Sequence, residues 1–216
     1  MPPDERFAAA RRAMVAQQLR GRDITDERVL EAMERVPREP FVPAGLRDRA
    51  YDDAALPLPA NQSISQPYIV AKIAETLDLH GDELVLDVGT GSGYGAAVLA
   101  ELAAEVVSIE RIPALAVQAR MSLAAAGYER VQVLVGDATL GVPGLGPFDA
   151  IAVAAAAPSL PQAIYEQLVP NGRMVVPLGD ESGQLLVLVV RSPEGPAVLR
   201  STPVRFVPLI GEGRFS

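Results

Sequence analysis

Residues 84–95 read LVLDVGTGSGYG. A short apolar run of strand type ends in Asp87. Glycines then alternate at 89, 91 and 93, and the pattern turns helical. A buried strand that runs through a glycine-rich turn into a helix belongs to an open α/β sheet, where ligands sit at the carboxyl ends of the strands. Glycine tolerates positive φ and lets the backbone approach a ligand closely. The stretch therefore predicts a nucleotide-like ligand above residues 87–93.

Outward from this loop the chain keeps alternating. The spacing of apolar residues predicts a helix over 66–79, and strands follow at 84–88, 106–110, 131–135, 148–154 and 173–178. Helices at 93–103, 113–126 and 160–168 separate them. Two further β-rich runs, QLLVLVV (184–190) and VRFVPLI (204–210), have no helix pattern between them. Alternating β and α implies a doubly wound, mostly parallel sheet of the α/β class. The last two strands are expected to be antiparallel to a neighbour. Upstream, apolar spacing predicts a helix over 4–20 that stops at Gly21. A second helix has Thr25 as its N-cap, Asp26 and Glu27 in its first turn, and ends at Pro37. Residues 37–64 are proline-rich and irregular, with Phe41, Val42, Leu46, Tyr51 and Leu56 as anchors. The expectation is one domain of 216 residues. It would comprise an N-terminal helical and irregular segment (1–64), a ligand-binding core (65–180) and C-terminal strands (181–216).

Composition excludes several chemistries. There is no cysteine, so disulfides, thiolate metal sites and a cysteine nucleophile are out. The chain has one histidine, His80, in a turn-like LDLHGDE, and one lysine, Lys72. A histidine metal site, a serine–histidine relay or a Schiff base would have almost nothing to work with, and no metal is expected. The sequence GTGSG is not a nucleophile elbow, because position 90 is Thr rather than Gly. A net charge of −8 with scattered arginines gives no basic stripe for nucleic acid. No apolar run reaches the roughly 18–20 residues of a membrane span, and the charged N-terminus lacks a signal-peptide core. A soluble, cytoplasmic protein is the expectation.

The dinucleotide fingerprint G-x-G-x-x-G/A fails from Gly89, since its third glycine falls on Tyr94. A carboxylate at Asp87 would also repel a pyrophosphate. Glu110 ends the second strand, where an acid can accept both ribose hydroxyls, and Asp137 ends the third. The pattern D-x-G-x-G-x-G resembles the first motif of class I S-adenosylmethionine-dependent methyltransferases, with a Rossmann-like sheet of seven strands. That cofactor carries a sulfonium and an ammonium and no phosphate, so nearby carboxylates suit it. The resemblance implies cofactor contacts from Asp87, Gly89, Thr90, Gly91, Ser92, Gly93, Glu110, Arg111, Asp137 and Ala138. In that family the acid at 137 meets the adenine amino group.

The segment PLPANQSISQPYIVA (57–71) narrows the resemblance. Alone, Ser65 reads as a helix N-cap with Pro67 in the first turn. Together with MVAQQLRGRDI, RVLEAMERVPREPFVP, AYDD, SIER, PFDAIAVAAAAP and VRFVPLIG, it resembles the protein-L-isoaspartate (D-aspartate) O-methyltransferase family over nearly the whole chain. The family's active-site serine lies in a T-I-S-x-P segment, which places it on Ser65. The family's usual G-x-G-Q-T-I-S, G-D-G and T-A-A-A-P are altered here at Ala60–Asn61–Gln62–Ser63, Ala138 and Ala154. The resemblance implies a monomeric enzyme that methylates the α-carboxylate of L-isoaspartyl residues in damaged peptides and releases S-adenosyl-L-homocysteine. The ester then closes to a succinimide that hydrolyses in part to aspartate. Ile64, Ser65, Arg205, Phe206 and Val207 would contact substrate. The alternatives are a relative that forms an aspartimide on one aspartate of a ribosomal peptide, a nicotinamide-dependent dehydrogenase and a non-enzymatic cofactor-binding module.

Overall fold

Strand β3 (Leu84–Val88) lies in the interior of a seven-stranded sheet, third in its order, because both of its faces are apolar. The computed structural model describes residues 3–180 and 182–212. Helix α1 (Pro3–Met14) continues into a π-helical turn, Val15–Arg20, and α2 spans Glu27–Arg35. Two 3₁₀ turns, Glu39–Phe41 and Ala44–Arg49, lead to a small antiparallel pair, β1 (Leu56–Pro57) and β2 (Ser63–Ile64). Then come α3 (Pro67–Leu77), β3, α4 (Tyr94–Leu102), β4 (Glu105–Glu110), α5 (Pro113–Ala125), β5 (Gln132–Val135) and β6 (Phe148–Val153). A one-turn α6 (Gln162–Tyr165) precedes β7 (Leu168–Asp180), β8 (Gly183–Ser192) and β9 (Gly195–Val204).

The strand order is β5-β4-β3-β6-β7-β8-β9. The first five strands of this order are parallel, and β8 and β9 are antiparallel additions. Side chains alternate across the sheet. Val85, Val106, Ala150 and Val175 join one core with α1–α4. Leu86, Val107, Ile151 and Met174 join the other, capped by Ile164 and Tyr165 of α6. The first core fuses the N-terminal helices to the sheet through Leu19, Leu30, Met33 and Phe41.

Four local expectations are corrected. Asp26, not Thr25, caps α2, its carboxylate accepting from Arg28 N at 2.8 Å. Thr25 is instead held by Glu75, which accepts from its backbone N at 2.6 Å. Ser65 does not cap α3; Gln66 holds the cap position without a side-chain bond, and Pro67 opens the helix because its missing N–H is not needed there. The helix expected over 160–168 is one turn, because the chain enters β7 already at Leu168. The seventh strand is 195–204 rather than 204–210. A tight turn at Ser192–Gly195, with Gly195 at φ +113°, folds it straight back on β8. Residues 205–210 contain Pro208, which cannot donate. They run instead beside residue 156, whose N–H donates to Val207 O at 2.8 Å and whose carbonyl accepts from Leu209 N at 2.7 Å.

The hairpin that carries Ser65 turns at Pro59–Gln62, closed by Leu58 N to Gln62 O at 2.8 Å. Both central residues, Ala60 and Asn61, have φ +57°. Asparagine accepts this left-handed conformation, whereas alanine pays about 1 kcal/mol for it. The double substitution A60N/N61G should therefore raise stability by about 1 kcal/mol, or roughly 2–4 °C in Tm. Calorimetry that finds no gain would contradict a strained turn at this hairpin.

Candidate active site

The carboxyl ends of β3, β4, β5 and β6 open into one cleft. Its floor is the loop after β3. Gly89 takes φ +92° and donates to Ile109 O at 2.9 Å, which ties the loop to the end of β4. Gly93 takes φ +91°, and a Cβ there would meet Leu123 at 3.2 Å, so glycine is required where the loop turns into α4.

Two strand-end acids shape the polar side. Glu110 is 7% exposed, and its carboxylate clamps the backbone. It accepts from Gly91 N and from Ile112 N, each at 2.9 Å. Each oxygen retains a lone pair for a ligand hydroxyl. Asp87 is 4% exposed and accepts from Ser108 Oγ at 2.6 Å. Ser108 Oγ lies 2.6 Å from Thr90 Oγ1. Since the Ser108 proton goes to Asp87, Thr90 donates to Ser108. Burial pushes the Asp87 carboxyl up to about 6, the Ser108 bond opposes this, and the charge of Glu110 adds to it.

The remaining wall comes from elsewhere in the chain. Gln62, Ser63, Ile64 and Ser65 cross the cleft as a strap, and Val207, Pro208, Leu209 and Ile210 close it from the C-terminal side. Ser65 is half-buried, and its hydroxyl bonds to no other described residue. Of the residues singled out in the sequence, the cleft gathers Ile64, Ser65, Asp87, Gly89, Thr90, Gly91, Ser92, Glu110, Arg111, Ala138 and Val207. Gly93 lies behind the lining. Asp137 points away from it: one oxygen takes Thr139 N at 2.9 Å and Thr139 Oγ1 at 2.6 Å, and the other takes Glu212 N at 2.6 Å. Gly136 and Ala138 face the cleft in its place. Arg205 is exposed outside the lining. Phe206 packs on the first core, and the Gln184 amide oxygen accepts from its backbone N at 2.6 Å.

The family model described as protein-L-isoaspartate(D-aspartate) O-methyltransferase matches residues 9–214. The chain belongs to this family. It is 57% identical over 204 residues to protein-L-isoaspartate O-methyltransferase 2 of Marinobacter nauticus, covering 94% of this chain and 93% of that one. It is 50% identical to the protein-L-isoaspartate O-methyltransferase of Methanoculleus marisnigri, over 94% and 92% of the two chains. Among solved structures, the fold matches a Plasmodium falciparum protein assigned to the same family and crystallised with S-adenosyl-L-homocysteine. That match has a TM-score of 0.80 at 23% identity, over 93% of this chain and 98% of that one.

Within this family member, sequence reasoning missed Tyr94, Ile73, Ile112 and Leu209 as cleft residues. Tyr94 is where the dinucleotide fingerprint failed, and that failure was the available signal: a large side chain stands where a pyrophosphate would need glycine.

The buried acid sets a pH test. Burial lifts the folded carboxyl of Asp87 to about 6, above the ordinary 3.8 of an exposed aspartate, so between these pH values the native state binds more protons than the unfolded state. This group's contribution to stability therefore falls as pH rises from about 4 to about 6, by about 3 kcal/mol in all. Asp87→Asn removes the ionisation, so the stability of the variant relative to wild type should climb across that window and stay high at pH 7. Chemical denaturation at pH 4, 5, 6 and 7 measures the difference; a flat difference contradicts the assignment.

Proposed function

We propose that this chain transfers a methyl group from S-adenosyl-L-methionine to the α-carboxylate of L-isoaspartyl residues in damaged peptides and proteins. The observation that carries the reading is that the Ile64–Ser65 strap and the glycine loop with Asp87 and Glu110 line the same cleft. The residues present fit the cofactor. Backbone at Gly89 and Gly91 offers close approach, and two buried carboxylates suit a cationic, phosphate-free ligand. In this reading Asp87, Gly89, Thr90, Gly91, Ser92, Glu110, Arg111 and Ala138 hold the cofactor, while Gly93 shapes the loop and Asp137 fixes the end of β5 from outside the cleft. Ile64, Ser65 and Val207 serve the peptide, and Arg205 and Phe206 hold their segment beside the cleft rather than in it.

The cofactor supplies an electrophilic methyl on a sulfonium. The chain's own task is alignment. A substrate carboxylate is already ionised at neutral pH, so no general base is needed, which suits a chain with a single histidine. The free hydroxyl of Ser65 donates to that carboxylate and points it at the methyl. The apolar walls at Ile64, Ile73 and Leu209 exclude water from the nucleophile. The ester formed is open to attack by the following backbone nitrogen, which releases methanol and closes the succinimide. Such chemistry needs a flexible peptide, and a net charge of −8 disfavours a polyanion in its place. The reading extends to a monomer that acts in the cytoplasm and is not a nucleic-acid or membrane binder.

Two peptides that differ only in L-isoaspartate or L-aspartate at one position test the assignment with labelled methyl donor. Base-labile label should appear on the isoaspartyl peptide alone. Ser65→Ala should lower the rate about 10–100-fold, the worth of one hydrogen bond to a charged group, with S-adenosyl-L-homocysteine affinity nearly unchanged. Label on neither peptide, while the donor still binds, would overturn the substrate assignment.

A further inference from the structure

Arg38 is the largest fully buried side chain among the described residues, at 0% exposure. It makes no ion pair with any described residue. Its guanidinium reaches into the region behind the strap. Nε donates to Ala50 O at 2.7 Å, Nη2 donates to Ser65 O at 2.8 Å, and Nη1 has no partner. The guanidinium carbon lies 4.7 Å from the centre of the Tyr94 ring, itself a cleft wall. Tyr51 fixes the base of the side chain, its hydroxyl accepting from Arg38 N at 3.1 Å. Burial pulls the Arg38 pKa down to about 10, which leaves it charged at neutral pH.

A buried cation without an anion is costly, and natural chains normally pair such charges. Here the compensation within the protein is two carbonyls and one aromatic face. Both carbonyl bonds are to residues that precede or form the strap, and one is to Ser65 itself. An anion brought to the Ser65 hydroxyl would approach an unscreened positive charge on the far side of the same residue. We propose that Arg38 is a positioning residue of the transfer reaction: from behind the strap it fixes the Ser65 main chain and supplies the uncompensated charge that draws a carboxylate to the Ser65 hydroxyl. It does not touch the reacting atoms, since it lies outside the cleft lining.

The inference rests on the substrate assigned above, and its test separates the two. Binding is measured in the presence of S-adenosyl-L-homocysteine for two labelled peptides. One carries L-isoaspartate, and the other is the same peptide with the α-carboxylate replaced by a carboxamide. Wild type should prefer the carboxylate by about tenfold or more, an attraction of ordinary size for a charge pair shielded from solvent. Arg38→Met should bring the ratio close to one while S-adenosyl-L-homocysteine still binds within about threefold of wild type. Arg38→Lys, which loses the forked geometry but keeps the charge, should retain the preference and lose turnover. Should Arg38→Met fail to bind S-adenosyl-L-homocysteine, Arg38→Gln takes its place, being uncharged with an amide donor for the Ser65 carbonyl. A preference that survives removal of the charge, or one lost equally in Arg38→Lys, overturns the role of Arg38. A wild-type ratio near one overturns the carboxylate substrate instead.

Discussion

The site depends on one pairing constraint, the parallel registration of β3 between β4 and β6. Asp87 stands opposite Ser108 on one side and Ala152 on the other. This register places the Ser108 hydroxyl within bonding distance of the Asp87 carboxylate and brings Glu110 level with the glycine loop. A shift of one residue would turn each of these groups to the opposite face of the sheet. Neither acid could then reach the cleft. The polar side of the site is thus a by-product of apolar packing on both faces, which holds the strands in this alignment.

Layered on that frame are two segments that the sheet does not itself supply. The strap at 62–65 crosses the cleft from the N-terminal part of the chain, and residues 207–210 cross it from the C-terminal part. Each is tied by side chains to backbone. Arg38 holds Ser65 and Gln184 holds Phe206. Both segments have only short backbone pairings, β1 with β2 and residue 156 with 207–209, so side-chain donors and acceptors satisfy part of the remaining polar groups. The cost is that a buried charge is spent on main-chain carbonyls.

Much of this was legible in the sequence. The run LVLDVGTGSGYG gave the interior strand β3, the loop and its positive-φ glycines, because only glycine serves there. The acids at 87 and 110 were visible as polar ends of apolar runs. Other features were not legible. Asp137 has the right place in sequence, yet its carboxylate is occupied by Thr139 and Glu212, a contact across 75 residues that no local pattern reports. The seventh strand was displaced because GPAVLRSTPV is a weak β pattern made into a strand by its turn and its neighbour, whereas VRFVPLI is a strong one broken by Pro208. Arg38 reads as one more surface arginine in VPREP until the packing around it is known.

The contact between Asp137 and residues 211–212 joins two parts of the chain 75 residues apart. The space for a Cβ on Gly211 is taken by the Asp137 carboxylate, so the chain lies flat against the end of β5 at this point. Residues 207–210, one wall of the cleft, are thereby pinned on both sides, by residue 156 at Val207 and Leu209 and by Asp137 at Glu212. Any side chain at position 211 would displace that wall without itself lining the cleft, so a surface position governs the shape of the pocket at a distance.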